Sequence, residues 1–172
     1  MRLVNYRMIH HVFVLLVKTK KTAQKKELFN KMALMNEIEK LLEERKVRPT
    51  AMRILIYKFM AQKDIAVTLT DIESAFAKAD RTTLYRTLKT FEENSIVHQI
   101  EDGTGVSKYA LCESGCNCDI ERDLHLHFHC SNCNETVCLT EHKIPHINLP
   151  EGYVADDANL VLKGICDKCS GQ

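Results

Sequence analysis

Hydrophobic positions in the first half of the chain recur every three or four residues, which predicts a series of amphipathic helices. The first predicted helix covers residues 36–46. Thr50 stands where a capping residue would open the second, since its hydroxyl can accept from a free backbone N–H. Thr70 and Glu73 have the spacing of a capping box and predict the start of the third.

A fourth predicted helix opens at Asp80 and ends near Asn94. Its apolar face, at intervals of four and three residues, consists of Leu84, Leu88 and Phe91. Its opposite face carries hydrogen-bond donors, positive charge and an aromatic ring, on Thr82, Tyr85, Arg86 and Lys89. No acid interrupts that face, which suits a negatively charged partner.

Two short apolar runs, 96–100 and 106–111, flank a glycine-containing turn and predict a hairpin. Helices followed by such a hairpin are typical of a winged helix-turn-helix. Residues 124–130 then alternate apolar side chains with three histidines, and 137–139 and 160–165 predict further strands. The expected fold class is α+β, with an N-terminal winged helix and a small C-terminal α/β domain.

Charge is unevenly distributed along the chain, although the net charge is only +1. Residues 1–34 hold eight bases and one acid, whereas residues 112–172 hold four bases and ten acids. This asymmetry suggests that the N-terminal and C-terminal parts of the chain have separate functions. We expect a basic extension over residues 1–34, disordered or upstream of the true start, then domains at 35–111 and 112–172.

No stretch reaches the roughly 18 apolar residues that a membrane helix needs. The apolar run 12–17 is followed by lysines rather than by a small-residue cleavage site, which argues against a signal peptide. A cytoplasmic location without membrane contact is therefore expected. In that reducing compartment, paired cysteines favour metal binding over disulfides.

Two Cys-x-x-Cys pairs near the C-terminus predict a structural zinc site. The four thiolates belong to Cys130, Cys133, Cys166 and Cys169. Four thiolates close a tetrahedron around zinc and leave no open position for water. A domain of this size has a small core, so such a metal staple helps it fold.

The remaining histidines and cysteines predict a second metal site. On a strand, period two places His125, His127 and His129 on one face, close to a cysteine-rich loop. Further candidate ligands are His98, Cys112, Cys116, Cys118, His142 and His146. Mixed nitrogen and sulfur ligands favour zinc over manganese. Cys138 lies in an apolar run and is interpreted as a core thiol.

Two zinc-enzyme patterns are excluded by the residues present. His142 and His146 have metalloprotease spacing, but Lys143 replaces the catalytic Glu and Pro145 breaks the helix. The His-x-Glu and Pro-Cys-x-x-Cys halves of a zinc deaminase are both missing. We expect no enzymatic activity and no small-molecule substrate.

Five motifs together resemble the ferric uptake regulator family over about residues 36–172. They are Arg48-Pro-Thr-Ala-Met-Arg53, Arg81-Thr-Thr-Leu-Tyr-Arg-Thr-Leu88, Lys108-Tyr-Ala-Leu111, His125-Leu-His-Phe-His-Cys130 and the two cysteine pairs. The resemblance implies a homodimeric, metal-dependent transcription factor on AT-rich inverted repeats of double-stranded DNA. It implies zinc on the four paired cysteines and dimerisation through the C-terminal domain.

The resemblance also implies which residues contact DNA. Tyr85 and Arg86 are expected to approach DNA from the fourth helix, with Arg81, Thr82 and Lys89 beside them. Arg53 and the wing residue Lys108 are expected phosphate contacts.

Metal preference follows from where this chain departs from the iron-sensing members. Those carry a hinge histidine, where residues 65–69 have none, and an acid where this chain has Ala110. Zinc-sensing members resemble this chain more closely. The resemblance implies a regulatory zinc on four ligands, His98, Cys112, His125 and His127. Cys116, Cys118 and His129 stay alternatives.

The resulting hypothesis is a zinc-responsive repressor of metal uptake genes, in which the ion locks the angle between the domains. An iron, manganese or peroxide sensor on the same scaffold is the nearest alternative. Two others stay open: a zinc-stapled module with unregulated DNA binding, and redox sensing through Cys112, Cys116 and Cys118.

Overall fold

The computed structural model describes residues 33–112, 125–143, 148–155 and 158–171. The chain divides into two compact units between Lys40 and Leu41. The described part of the first unit is helical and belongs to α1, residues 33–44. All later elements lie in the second unit. The described residues include no helix that is long and apolar enough to cross a membrane.

Helix α2, Ala51–Met60, begins where the sequence predicts. The Thr50 side chain accepts from the backbone N–H of Arg53, which confirms the predicted cap. Ile54, Ile56 and Met60 are buried. Ile56 and Met60 are four residues apart and share one buried face, whereas Ile54 is buried on a different side of the helix.

Helix α3, Leu69–Ala75, begins two residues earlier than predicted. Thr68 and Asp71 form the capping box, with the Thr68 N–H donating to Asp71 at 2.8 Å. The prediction of Thr70 and Glu73 for this role was wrong. The cause is long-range, because Thr68 also ends strand β1, Val67–Thr68, and is thereby held in extended backbone.

Helix α4, Arg81–Glu93, confirms the predicted boundaries. Asp80 caps its first turn by accepting from the N–H of Thr83, and Asn94 caps its end. The apolar face is fully buried: Leu84, Leu88 and Phe91 each have 0% exposure. Burying a side chain of this kind stabilises the fold by about 1.5–3 kcal/mol.

A three-stranded antiparallel sheet completes the winged helix-turn-helix. Strands β2, Val97–Ile100, and β3, Lys108–Leu111, form the predicted hairpin. Strand β1 adds to the outer side of β3 by pairing Val67 with Tyr109. The β2–β3 hairpin with its loop 101–107 is the wing.

The C-terminal part is a second three-stranded sheet in the order β5–β4–β6. It consists of β4, His125–Cys130, β5, Thr136–Lys143, and β6, Val161–Gly164. Strand β5 is antiparallel to β4, and β6 is parallel to it. A short helix α5, Asp167–Ser170, follows. Helices and sheets together confirm the predicted α+β class.

Candidate metal centres and nucleic-acid interface

The parallel pairing of β4 with β6 brings the two cysteine pairs together. Cys130 ends β4 opposite Gly164, which ends β6. Both strands therefore lead into their Cys-x-x-Cys turns at the same end of the sheet. The thiolate cluster, Cys130, Cys133, Cys166 and Cys169, has sulfurs that all lie within 4.8 Å of one another. The two predicted pairs are thus brought into one site.

The thiolate cluster has the dimensions of a tetrahedral zinc site. Zinc–sulfur bonds of about 2.3 Å place tetrahedral sulfurs about 3.8 Å apart, and Cys133 Sγ lies 3.9 Å from Cys166 Sγ. All four thiols are free rather than joined in disulfides. Backbone N–H groups of Cys133 and Cys166 lower the pKa of the Cys130 thiol, which favours its thiolate form. The pKa values of Cys133 and Cys166 are raised instead, because burial and the neighbouring thiols outweigh the backbone hydrogen bonds that lower them.

A second group of metal-binding side chains joins the wing to the C-terminal sheet. The histidine cluster comprises His98 of β2, His125 and His127 of β4, and Cys138 of β5, with ligand atoms all within 4.8 Å. The Nε2 atoms of His98 and His127 lie 3.0 Å apart. Cys138 Sγ lies 3.4 Å from the same Nε2 of His98. Tetrahedral ligands of zinc are separated by about 3.3 Å between nitrogens, so the donor set fits this ion.

Burial favours the neutral form of two of these imidazoles, His98 and His127. Burial and the neighbouring His127 and His125 together lower the pKa of His98 to about 3. Burial and His125 also lower the pKa of His127 to about 4. Metal ligation needs unprotonated ring nitrogens, and these two histidines supply them at neutral pH.

The group that the structure assembles differs from the predicted ligand set in one member. Cys112 lies on the other side of the His98 ring, with its Sγ 3.6 Å from Nδ1. An imidazole binds a given ion through one nitrogen and is oriented by a partner on the other. An ion held by His98 Nε2 would therefore have Cys138 beside it and Cys112 behind the ring.

Cys138 was interpreted from the sequence as a core thiol, and that interpretation was wrong. Its side chain is half-buried and faces His98. The relationship depends on strand register, which the sequence pattern does not show: β5 pairs antiparallel with β4 so that Cys138 stands directly opposite His127. Cross-strand neighbours share a face of the sheet. The apolar residues around Cys138 masked that relationship.

The other candidate ligands have separate places. Buried His129 contacts Thr136 and Asp102 and lies outside the histidine cluster. His142 is exposed near the end of β5. Cys116, Cys118 and His146 lie outside the described residues.

The outward face of α4 matches its predicted composition. Four positions spaced over two turns are exposed: Thr82, Tyr85, Arg86 and Lys89. Arg81 precedes them and forms an ion pair with Glu73 of α3. Lys89 pairs with Glu92 at 3.0 Å, and Tyr85 is 50% exposed. A helix with this face at its surface can enter the major groove of DNA.

The two predicted phosphate contacts outside α4 are placed differently from each other. Arg53 is half-buried on α2 and donates to the carbonyl of Arg48 at 2.8 Å. Lys108 is only 7% exposed and forms an ion pair with buried Asp102 at 2.7 Å. This placement contradicts the predicted phosphate contact of Lys108, because its ammonium points into the protein rather than toward solvent.

Known proteins resemble this chain over most of its length. The profile of the ferric uptake regulator family matches residues 44–152. The peroxide operon regulator of Bacillus subtilis (strain 168) is 24% identical over 147 residues, which are 79% of this chain and 93% of that protein. The ferric uptake regulation protein of the same organism is 30% identical over 94 residues, 52% of this chain and 60% of that protein.

A solved structure shares the fold. It is a zinc uptake regulator complexed with zinc and DNA, with a TM-score of 0.60 at 20% identity. The match covers 81% of this chain and 95% of that chain. It supports the arrangement of an N-terminal winged helix followed by a C-terminal sheet.

Proposed function

Because the chain belongs to the ferric uptake regulator family, we propose that it is a zinc-responsive repressor of metal uptake genes. The members of this family are metal-responsive transcriptional regulators that act on DNA, and they are not enzymes. The proposal concerns which metal is sensed and which residues sense it.

The histidine cluster carries the proposal. It gathers three imidazoles and one thiol, from His98, His125, His127 and Cys138. No carboxylate is among the four, whereas hard-ligand ions such as manganese prefer oxygen. Nitrogen and sulfur donors at tetrahedral distances favour zinc. Cys112, at the far nitrogen of His98, would orient that ring.

The position of the cluster suggests how metal binding reaches the DNA. His98 lies on β2, which follows α4 after a three-residue turn. The other three ligands lie on the C-terminal sheet. A bound ion would supply a cross-link between wing and sheet. The chain's own residues would then hold α4 at a fixed angle to that sheet, and without the cross-link the angle would vary.

A second copy of the chain would convert that angle into half-site spacing. The end of the C-terminal sheet exposes large apolar side chains at Leu160, Leu162 and Ile165. Among the described strands, β6 is also the edge of its sheet, where the backbone of a second copy could pair with it. We propose that this edge forms the homodimer, placing two α4 helices about one DNA turn apart on an inverted repeat, which we expect to be AT-rich.

The proposed domain organisation keeps the boundaries expected from the sequence. Residues 35–111 would bind DNA and residues 112–172 would bind metal and dimerise, with a basic extension over residues 1–34. A cytoplasmic location is proposed because a transcription regulator works where the DNA is.

Native mass spectrometry across a series of buffered free-zinc concentrations tests the proposal. We expect a dimer whose zinc content rises from one to two ions per chain. In parallel, a duplex selected from a random DNA library at saturating zinc should bind at least about tenfold more tightly once the second ion is present. His125→Ala should abolish the second step, whereas His142→Ala, which removes an exposed histidine outside the cluster, should leave it intact.

The other outcomes separate the alternatives. A dimer fixed at one zinc per chain, whose DNA affinity instead responds to iron, manganese or peroxide, would contradict zinc sensing and keep the family scaffold. DNA affinity that is indifferent to every metal and oxidant would indicate an unregulated module. A chain without any bound zinc would remove the thiolate site as well.

A further inference from the structure

Lys108, at the start of β3, is a buried cation with all three of its ammonium hydrogens used. Its Nζ lies 2.7 Å from Asp102 Oδ2, 2.6 Å from the carbonyl oxygen of Asn134 and 3.0 Å from Thr136 Oγ1. A lysine ammonium has three donors and no acceptor, so this set satisfies it completely. Two of the three acceptors belong to the C-terminal sheet and its turn rather than to the wing.

Asp102, in the wing loop, is the matching buried anion. Its side chain has 0% exposure. Oδ2 accepts from Lys108 and from the Thr136 hydroxyl at 2.6 Å, and Oδ1 accepts from the Thr104 N–H at 3.0 Å. Burial raises the pKa of this carboxyl, but the hydrogen bonds from Lys108, Thr104 and Thr136 lower it by more. The carboxylate is therefore ionised and paired.

The two acceptors of Lys108 that lie outside the wing, on Asn134 and Thr136, are close in sequence to the thiolate cluster. Asn134 directly follows the Cys130–Cys133 turn, and its N–H donates to the Cys130 carbonyl at 2.9 Å. Asn134 has a φ of 60°, which places the end of the turn in the left-handed region that residues other than glycine rarely adopt. The Thr136 carbonyl also accepts from the Ala66 N–H at 2.8 Å, just before β1.

We propose that Asp102 and Lys108 are positioning residues that clamp the wing onto β5 and onto the Cys130–Cys133 turn. The clamp makes the placement of the wing depend on the thiolate cluster. Asn159 adds a contact on the same side, its Nδ2 donating to the Glu101 carbonyl at 3.0 Å. The wing is thus tied at both ends: at its base by the histidine cluster and at its loop by the clamp.

The physical reason for an ionic clamp is geometric specificity. A buried ion pair contributes little net stability, because desolvation offsets its attraction, but the directions of its hydrogen bonds admit one arrangement only. An apolar contact at the same place would tolerate sliding. Wing placement itself is independent of which metal is sensed; only its effect on DNA binding rests on the proposed function.

Hydrogen–deuterium exchange of the zinc-loaded full-length chain tests the clamp. The variants are Lys108→Met, Asp102→Asn and the two combined, with Lys46→Met as a control that removes an exposed lysine. Amides of the wing loop 101–107 should exchange at least about tenfold faster in each clamp variant, and the double variant should add little, because either change opens the same contact. Exchange in α4 should stay as in the unmodified chain.

A cobalt-substituted sample monitors the thiolate cluster in the same variants through its thiolate–cobalt absorption, which should persist. Removing that metal from the unmodified chain should accelerate exchange in the wing loop together with the C-terminal sheet, because the unfolded sheet no longer presents Asn134 and Thr136 to Lys108. Two results would overturn the inference. One is an unchanged wing loop in Lys108→Met, and the other is an equal acceleration in every segment, which indicates general destabilisation. Should Lys108→Met fail to fold because Asp102 is left unpaired, the double variant decides between the same outcomes.

Discussion

Cys138 Sγ, on the C-terminal sheet, lies 3.4 Å from Nε2 of His98, on the wing. The two residues are forty positions apart in the chain. Their contact joins the part of the protein that carries helix α4 and His98 to the part that carries the thiolate cluster and the other three members of the histidine cluster. The proposed function requires a metal ion to bind between these two atoms, in place of their direct contact.

Replacing Cys138 by Ser should reduce affinity for the second zinc more strongly than replacing Cys112 by Ser. Cys138 faces the atoms that would hold the ion, whereas Cys112 contacts the opposite nitrogen of His98. Loss of a residue that orients a ligand costs about 10–100-fold in metal affinity, and loss of a ligand costs more. Zinc competition with a chromophoric chelator measures both. The reverse order would restore Cys112 as the ligand.

Arg86→Ala should weaken specific DNA binding by about 1–3 kcal/mol and relax selectivity at one base pair. Arg86 is exposed on the outward face of α4, where a guanidinium can reach a base edge. Arg81→Ala should have a smaller effect, because that guanidinium is already paired with Glu73. Fluorescence anisotropy on the selected duplex and its single-base variants gives both numbers. Equal losses on every sequence would assign Arg86 to phosphate contact instead.

Thr68→Ala should destabilise the chain by about 0.5–2 kcal/mol, the range for loss of a helix cap. Thr68 accepts from the Asp71 N–H at 3.1 Å. Thr70→Ala is the matched control, since Thr70 lies inside the helix and does not cap it. Urea unfolding monitored by circular dichroism compares them. A larger loss for Thr70 would return the cap to the position expected from the sequence.

Leu162→Asp should shift the chain from dimer to monomer. Leu162 is 51% exposed on the edge strand β6, where an acid would oppose apolar burial against a second copy. Leu55→Asp places the same charge at a leucine with 47% exposure on α2 and should leave the dimer intact. Analytical ultracentrifugation distinguishes the two. A dimer that persists in Leu162→Asp would place the interface elsewhere.

Removing metal from the thiolate cluster should unfold the C-terminal sheet while leaving α2 to α4 helical. The described part of the sheet has few fully buried apolar side chains, and its two cysteine turns meet at the cluster. Circular dichroism during titration with a strong chelator should show loss of sheet signal with helical signal retained. Cys133→Ser, with a three-thiolate site, should lose the sheet at lower chelator concentrations. A sheet that survives complete removal of zinc would contradict a structural role.

Local features of the fold were readable from the sequence alone. The boundaries and buried face of α4, the Thr50 and Asp80 caps and the wing hairpin each depend on residues within a few positions of one another. The two cysteine pairs are local in the same sense, because each pair sits in one turn. Side-chain periodicity and capping chemistry act over such distances, so the pattern predicts the outcome.

The start of α3 and the surroundings of Lys108 and Cys138 were decided by tertiary contacts. Thr68 and Thr70 are both followed three residues later by an acid, so their local patterns are equivalent. Pairing of β1 with β3 chose Thr68 by holding it extended. The alternation of side chains along a strand showed which residues share a face of the sheet, but not which other element packs against that face. Docking of the wing against β4 and β5 buried Lys108 and brought Cys138 to His98, because hydrogen-bond and ion-pair partners are selected by space and not by sequence distance.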